Sequence, residues 1–245
     1  DTNCIFCVYL SRYLSQLDCA SYLQTSKLIG VLNMKIAVLG ATGWIGSHIV
    51  NEATRRGHQV VALVREPSKV ELAEVEVAKL DLLANASDLA NGVAGVDAVI
   101  AAIGGRALGN HDIVKTTAER LITVLPKVNV ERLLWVGGAG SLEVAPGVKL
   151  ISTAEFPSEF MAEAIAQGEA LDVFKQQASA VDWTYVSPAA EIFPAETISN
   201  YRVGGDQLLV DENGASKISV SYYAKAMIDE LESHKHPRQR IGVAY

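Results

Sequence analysis

Three glycines, Gly40, Gly43 and Gly46, recur at three-residue spacing in the stretch KIAVLGATGWIGSHIVN, from Lys35 to Asn51. A glycine at the first position permits a sharp turn whose backbone angles a side chain would forbid. At the second it lets backbone N–H groups close on a pyrophosphate, and at the third it lets a helix pack tightly on a strand. The chemistry on offer is anion binding, because a helix opening after such a turn presents unpaired N–H groups and a positive dipole end. A strand–helix turn with no ligand is the plain alternative. The context favours the first reading: the apolar run Ile36–Leu39 before the turn suits a strand covered on both faces, and an amphipathic helix follows it.

Other candidate groups fall at the ends of further apolar runs. Arg65 ends what reads as a second strand, Gln59–Val64. In dinucleotide-binding sheets this position meets the adenosine ribose; an acidic residue there takes the 2′-hydroxyl, whereas a cationic fork suits a 2′-phosphate. NADP(H) is therefore expected over NAD(H), with a solvated surface charge as the alternative role for Arg65. Asp81 follows a third run, Val75–Leu80, and could meet an adenine amino group or cap the next helix. Gly104-Gly105-Arg106 ends a fourth run, Val96–Ile103, and Gly137-Gly138-Ala139-Gly140-Ser141 ends a fifth, Leu133–Val136. Small residues at the carboxyl ends of parallel strands are where an open α/β sheet binds its ligands. Ser141 could hydrogen-bond a nicotinamide amide or an acceptor, or only its own loop. His111 could give a proton near neutral pH, or merely begin a helix. Trp44 could shield the phosphates or pack under the loop. Glu191 and Phe193 could border the acceptor. His234 and His236 lack further ligands at metal-binding spacing, so no metal is expected.

The elements that must position these groups alternate. Trp44–Arg56 reads as a helix with Ile45, Ile49 and Ala53 on one face and Gly57 as its stop. His111–Lys127 reads as a second, with Asn110 as N-cap and Ile113, Thr117, Leu121 and Val124 inward. Ser158–Ala180 is the longest helical pattern, with Phe160, Ala164, Leu171 and Phe174 on one side. A sixth strand, Trp183–Val186, runs into Ser187-Pro188-Ala189-Ala190. Ile198–Arg202 and Gln207–Val210 read as a hairpin around Gly204-Gly205, and Asp211–Gly214 as a turn. Val220–Leu231 is a last helix and Arg240–Tyr245 a last strand. The alternation predicts a Rossmann-type, doubly wound parallel sheet with helices on both faces and a small C-terminal substrate-side subregion.

Residues 34–245 are expected to form one domain. Residues 1–33 do not fit it: they hold all three cysteines, including Cys4-Ile-Phe-Cys7, and read as an appended or non-native leader. The cysteine-free remainder is consistent with the cytoplasm. Of the 245 residues 49% are hydrophobic and 20% charged, a globular composition, and the net charge of −7 argues against nucleic acid as a partner. No apolar run approaches the ~18–20 residues of a membrane helix.

Four segments together resemble the atypical short-chain dehydrogenase/reductase superfamily. They are Gly40-Ala-Thr-Gly43-Trp-Ile-Gly46, Gly137-Gly-Ala-Gly-Ser141-Leu-Glu-Val144, the run from Trp183 through Ser187 to Pro194, and the run from Tyr201 to Leu209. Within that superfamily they are similar to an NAD(P)H-binding group of NmrA-like and NADH–flavin reductase-type proteins. The resemblance covers Met34–Tyr245 and none of the leader. It implies that Gly40, Thr42, Gly43, Trp44, Ile45 and Gly46 hold the pyrophosphate and Arg65 the 2′-phosphate. Asp81 and Leu82 would lie near adenine, and Ala101, Ala102 and Ile103 would line the adenosine and ribose channel. Gly137 and Gly138 would pass the nicotinamide ribose, and Ser187, Pro188 and Ala189 would border the nicotinamide ring.

The superfamily's usual acid is a tyrosine with a lysine four residues on, and no tyrosine here has one; Phe160 and Ala164 stand at that spacing instead. Reactions that move a hydroxyl proton gain roughly 10²- to 10⁴-fold from a positioned acid or base. Hydride transfer to a flavin or quinone makes no such strict demand, since the acceptor delocalises the charge. The expected function is an NAD(P)H-dependent reductase passing hydride to a planar acceptor, either a quinone or a flavin (FMN or FAD as substrate rather than as a bound group). The alternatives are an NmrA-like redox sensor without strong catalysis, and a reductase or isomerase of another small carbonyl or sugar using His111 or Ser141 as replacement acid. A monomer or homodimer is expected.

Overall fold

Short apolar runs become the inner strands of one sheet, and amphipathic stretches between them become the helices that cover it. The computed structural model describes residues 33–70, 75–83, 85–106, 109–177, 180–195 and 200–245. The cysteines of the leader and the start of the expected hairpin at position 198 lie outside the described residues.

In chain order the first part comprises β1 (Lys35–Leu39), α1 (Trp44–Arg55), β2 (Gln59–Val64), β3 (Glu76–Lys79), α2 (Ala86–Val93), β4 (Ala98–Ala101), α3 (Asp112–Val124) and β5 (Arg132–Val136). A small hairpin, β6 (Glu143–Ala145) and β7 (Val148–Lys149), precedes α4 (Met161–Gln176) and β8 (Asp182–Ser187). Then come β9 (Glu191–Phe193), β10 (Arg202–Gly204), β11 (Lys217–Ser219), α5 (Val220–Ser233) and β12 (Gln239–Ala244). The main sheet runs β3-β2-β1-β4-β5-β8-β12-β10. Every neighbouring pair is parallel except β10 with β12. The strand order reverses between β1 and β4, which puts a crevice at their carboxyl ends.

Strand pleating divides the core in two. Trp135, Tyr185 and Phe174 pack on the α2–α3–α4 side, whereas Leu134, Val186, Tyr223 and Met227 pack on the α1–α5 side. The Phe174 ring stacks on Trp183 at 5.6 Å and meets Trp135 edge-on at 5.2 Å, which seats α4 on β5 and β8.

The ends of elements show where local pattern was insufficient. Gly57, at φ +87°, does terminate α1. Asp81 does not cap α2; Asn85 does, its side chain accepting from the Asp88 N–H. Asn110 does not cap α3 either, because His111 occupies that position without a side-chain cap bond. Ser158–Phe160 is a separate 3-10 turn after Pro157, so α4 begins only at Met161. Phe160 therefore leaves the inner stripe and lies 40% exposed under the Arg106 guanidinium, 4.5 Å from the ring centroid.

The expected hairpin around Gly204-Gly205 is replaced by a long-range pairing. β10 pairs antiparallel with β12, matching Arg202 to Ala244 and Gly204 to Gly242. The segment after it instead bonds to the β6 region, Glu143 N–H to Asp206 O at 2.8 Å and Leu208 N–H to Glu143 O at 2.8 Å. The open edge of β12 satisfies the β10 backbone where a local hairpin would otherwise have done so.

Candidate functional site

The β1–α1 turn is tight for reasons written in its glycines. Gly40 has φ +75°, and a Cβ there would lie 2.1 Å from the Ala102 carbonyl oxygen. A Cβ on Gly46 would lie 2.1 Å from the Gly40 carbonyl oxygen. Gly43 N–H closes the turn onto Gly40 O at 3.0 Å and is the N-cap residue of α1. No side chain caps that helix and no acidic residue stands in its first turn. Thr42, Gly43 and Trp44 are exposed, and Ile45 is half-buried. First-turn N–H groups without a side-chain partner, beside an exposed glycine backbone, fit a pyrophosphate. The Trp44 side chain is 49% exposed and stands edge-on to His48, so it does not pack under the loop.

The β4 end abuts this turn. Ala102 N–H bonds to Leu39 O at 2.9 Å, and Ile103 Cδ1 reaches within 3.3 Å of the ideal Gly40 Cβ position. Ala101 is fully buried and Ala102 half-buried. Arg65 follows β2 on the same edge of the sheet; it is exposed and forms no ion pair among the described residues. Asp81 and Leu82 follow β3. Asp81 is exposed, its Oδ1 accepting from Leu83 N–H at 2.9 Å, and the Leu82 carbonyl accepts from Arg120. The structure thus brings the glycine turn, Arg65, Asp81, Leu82 and residues 101–103 to the carboxyl ends of four adjacent strands.

At the β5 and β8 ends a phenol explains the glycines. A Cβ on Gly137 would fall 2.1 Å from Tyr185 Cε1, so only glycine fits over that ring. Gly138 N–H donates to Tyr185 Oη at 3.0 Å, and Tyr185 Oη–H donates to the Gln167 carbonyl at 2.9 Å. Burial pushes the Tyr185 phenol well above the usual tyrosine range. Both of its hydrogen-bonding roles are taken, so it is a brace between β5, β8 and α4.

Ser141 and Ser187 converge on one group that sequence reasoning missed. Arg240 from β12, its side chain 3% exposed, points Nη1 at Ser141 Oγ (3.4 Å) and Ser187 Oγ (3.5 Å). Its Nε donates to Asp206 Oδ1 at 2.7 Å. Burial pushes the Asp206 carboxyl up, but the Arg240 hydrogen bond and charge, with Lys175, outweigh it and hold the carboxyl below its usual value. Ser187, Pro188 and Ala189 are all buried. Glu191 and Phe193 form β9, which pairs with β11 in a small parallel sheet after β8.

His111 has a second missed partner. Its Nδ1 lies 3.1 Å from Glu163 Oε2, on the first turn of α4. The same oxygen accepts Gly105 N–H at 2.9 Å and Arg106 N–H at 3.1 Å. Gln167, one helical turn on, donates to Glu163 Oε1 (3.3 Å) and to Ile103 O (2.9 Å) and accepts from Trp135 Nε1 (2.9 Å). Glu163 and Gln167 thus occupy an i, i+4 pair on the inward face of α4, three residues after the Phe160/Ala164 pair. The i, i+4 spacing of Glu163 and Gln167 is the signal in the sequence that could have found them. Among the described residues no group of three His, Cys, Asp or Glu could hold a metal, and no helix is long and apolar enough to cross a membrane.

A glycine turn without a side-chain cap at the switch point of a doubly wound sheet is the arrangement of a dinucleotide-binding protein. The sequence matches the NAD(P)H-binding family over residues 40–233, and the chain belongs to that family. Three solved structures are similar to it. One is a presumed exported protein from Burkholderia pseudomallei, 42% identical with a TM-score of 0.79, matched over 86% of this chain and 100% of that one. Another is a presumed epimerase from Bacteroides thetaiotaomicron, 38% identical with a TM-score of 0.78, over 86% and 96%. The third is a presumed NADH–flavin reductase from Streptococcus pneumoniae, 35% identical with a TM-score of 0.77, over 86% and 99%.

Proposed function

We propose that this protein is an NAD(P)H-dependent reductase that passes hydride to a planar acceptor such as a free flavin or a quinone, and that it prefers NADP(H). The observation that carries the reading is the α1 N-terminus, which no side chain caps, over Gly40, Gly43 and Gly46. When bound, the dinucleotide supplies the hydride. The chain supplies position: residues 40 and 42–46 hold the pyrophosphate, Arg65 the 2′-phosphate, and Asp81 and Leu82 the adenine side. Ala101–Ile103, Gly137, Gly138 and Ser187–Ala189 line the remaining path to the nicotinamide. The missing Tyr–Lys pair and the flavin-reductase description of the Streptococcus relative support a delocalised acceptor over an alcohol or sugar.

Steady-state oxidation of NADPH and NADH with FMN, riboflavin and menadione tests this. Absence of acceptor-dependent turnover across the panel would sink it. Calorimetry that found tight, redox-discriminating dinucleotide binding in such an inactive protein would favour a sensor instead. The epimerase description of the Bacteroides relative favours a second reading, a reductase or isomerase of a small carbonyl or sugar. Turnover of such a substrate, with none of the flavin or quinone panel, would select it. We assign the protein to the cytoplasm on its cysteine-free body; the exported description of the Burkholderia relative is the competing view, and cell fractionation decides.

A further inference from the structure

We propose that His111 gives the acceptor the proton that completes its reduction, and that Glu163 is the positioning residue that keeps His111 in the form able to do so. The inference rests on the reductase reading and narrows its substrate class. The acceptor would be a conjugated carbonyl, quinone or flavin whose oxygen or ring nitrogen gains a proton that solvent can supply and His111 supplies faster.

The other protic side chains identified around the β4, β5 and β8 ends are less suited to give a proton. The Tyr185 hydroxyl is fully buried and bonded on both sides. Ser141 and Ser187 accept from the Arg240 guanidinium, which keeps their O–H protons, but a serine hydroxyl does not ionise near neutral pH as an imidazolium does. His111 differs. Its side chain is 29% exposed, and Nε2 has no partner among the described residues. An ionised carboxylate only accepts hydrogen bonds, so Glu163 Oε2 places a proton on Nδ1. When the ring is imidazolium, the transferable proton is then the one on Nε2, and its loss leaves the Nδ1–H form that Glu163 supports. The Gly105 and Arg106 amides hold Glu163 Oε2 from one side and Gln167 holds Oε1 from another, so the carboxylate is fixed before any ligand arrives. Gly105 makes the room the ring needs: a Cβ there would lie 2.7 Å from His111 Nδ1. The charged groups around His111 are Glu163 from α4, Arg106 from the β4–α3 loop, and Asp112 and Lys115 on α3 itself.

The balance closes with two electrons and one hydrogen arriving as hydride, forming a bond at the electrophilic centre of the acceptor. The Nε2–H bond of imidazolium His111 breaks, and its proton forms the second new bond, O–H or N–H. The dinucleotide is oxidised, the acceptor is reduced by two electrons, and water reprotonates His111 through its exposed edge.

Two measurements test the assignment. The first needs no activity: ¹⁵N NMR of the free protein, with His111 identified by loss of its signals in His111→Gln. The neutral ring is expected as the Nδ1–H form in the wild type and in Glu163→Asp, and as the Nε2–H form or a mixture in Glu163→Gln. A wild-type ring protonated at Nε2 alone would overturn the role of Glu163. The second is kinetic. His111→Gln is expected to lose about 10²-fold in kcat with menadione, at unchanged NADPH affinity and with partial rescue by added imidazole. Wild-type turnover that survives in His111→Gln within about threefold would overturn the donor role alone. No turnover by the wild type with any acceptor would overturn the reductase reading, and the donor role with it.

Discussion

Tyr185→Phe and Tyr223→Phe remove the same atom from equally buried rings, and the structure says they should not cost the same. Both side chains are 0% exposed. The Tyr185 hydroxyl accepts Gly138 N–H at 3.0 Å and donates to the Gln167 carbonyl at 2.9 Å. Without it, Gly138 loses the one acceptor its amide has among the described residues, whereas the Gln167 carbonyl lies inside α4 and keeps its helical acceptor role. The Tyr223 hydroxyl donates to Val186 O at 2.7 Å, and Gly137 N–H, which also approaches that hydroxyl, bonds to the same carbonyl at 2.9 Å. Losing Tyr223 Oη therefore orphans nothing. A donor left unpaired costs about 1–3 kcal/mol when fully buried, Gly138 is half-buried, and an ordinary hydrogen bond contributes about 1 kcal/mol net. Tyr185→Phe should lose about 2 kcal/mol, or about 4–8 °C in Tm for a chain of this size, and Tyr223→Phe about half of that. Urea denaturation and thermal melts followed by circular dichroism measure both. Equal losses, or a larger loss for Tyr223→Phe, would refute the claim that Gly138 N–H depends on Tyr185.

Burial holds the Tyr185 and Tyr223 phenols above the ordinary value, and burial followed by the Asp229 hydrogen bond does so for Tyr201. Raised acids contribute stability that is present below about pH 10 and lost as pH climbs toward their folded values, at about 1.4 kcal/mol per pH unit for each fully buried hydroxyl. The urea midpoint should accordingly hold steady to about pH 10 and then fall steeply; a flat profile to pH 11.5 would contradict this. Gly46→Ala puts a Cβ 2.1 Å from the backbone oxygen of Gly40, where no flexible side chain can give way. It should cost about 1–3 kcal/mol of stability and weaken NADPH binding, both readable from melts and a fluorescence titration. Arg65→Asp should weaken NADPH roughly ten- to hundredfold relative to NADH, since it replaces a charge-assisted bond with repulsion. An unchanged ratio would remove Arg65 from the 2′-phosphate.

What was legible in the sequence was local. Apolar runs, helical stripes and glycine spacing lie within a few residues of one another, so they marked β1, the turn, α1 and the strand order's β–α alternation without any folded coordinates. Gly43 and Gly46 carried their meaning for the same reason, since the atoms a Cβ would strike there belong to Gly40 and Ala41, whereas Gly40 itself is held to glycine by Ala102, far along the chain. Tertiary structure decided everything that depends on distant partners. β10 left its expected hairpin for β12 because an unpaired sheet edge can be satisfied by any segment that reaches it. Gly137, which the family resemblance places beside the cofactor, is fixed as glycine by the Tyr185 ring 48 positions on. Glu163 meets His111 across 52 positions, and Arg240 meets Ser141 across 99. Sequence offered the residue types for those contacts, but side-chain hydrogen bonds act over about 3 Å, and only the wound sheet brings such separated groups that close.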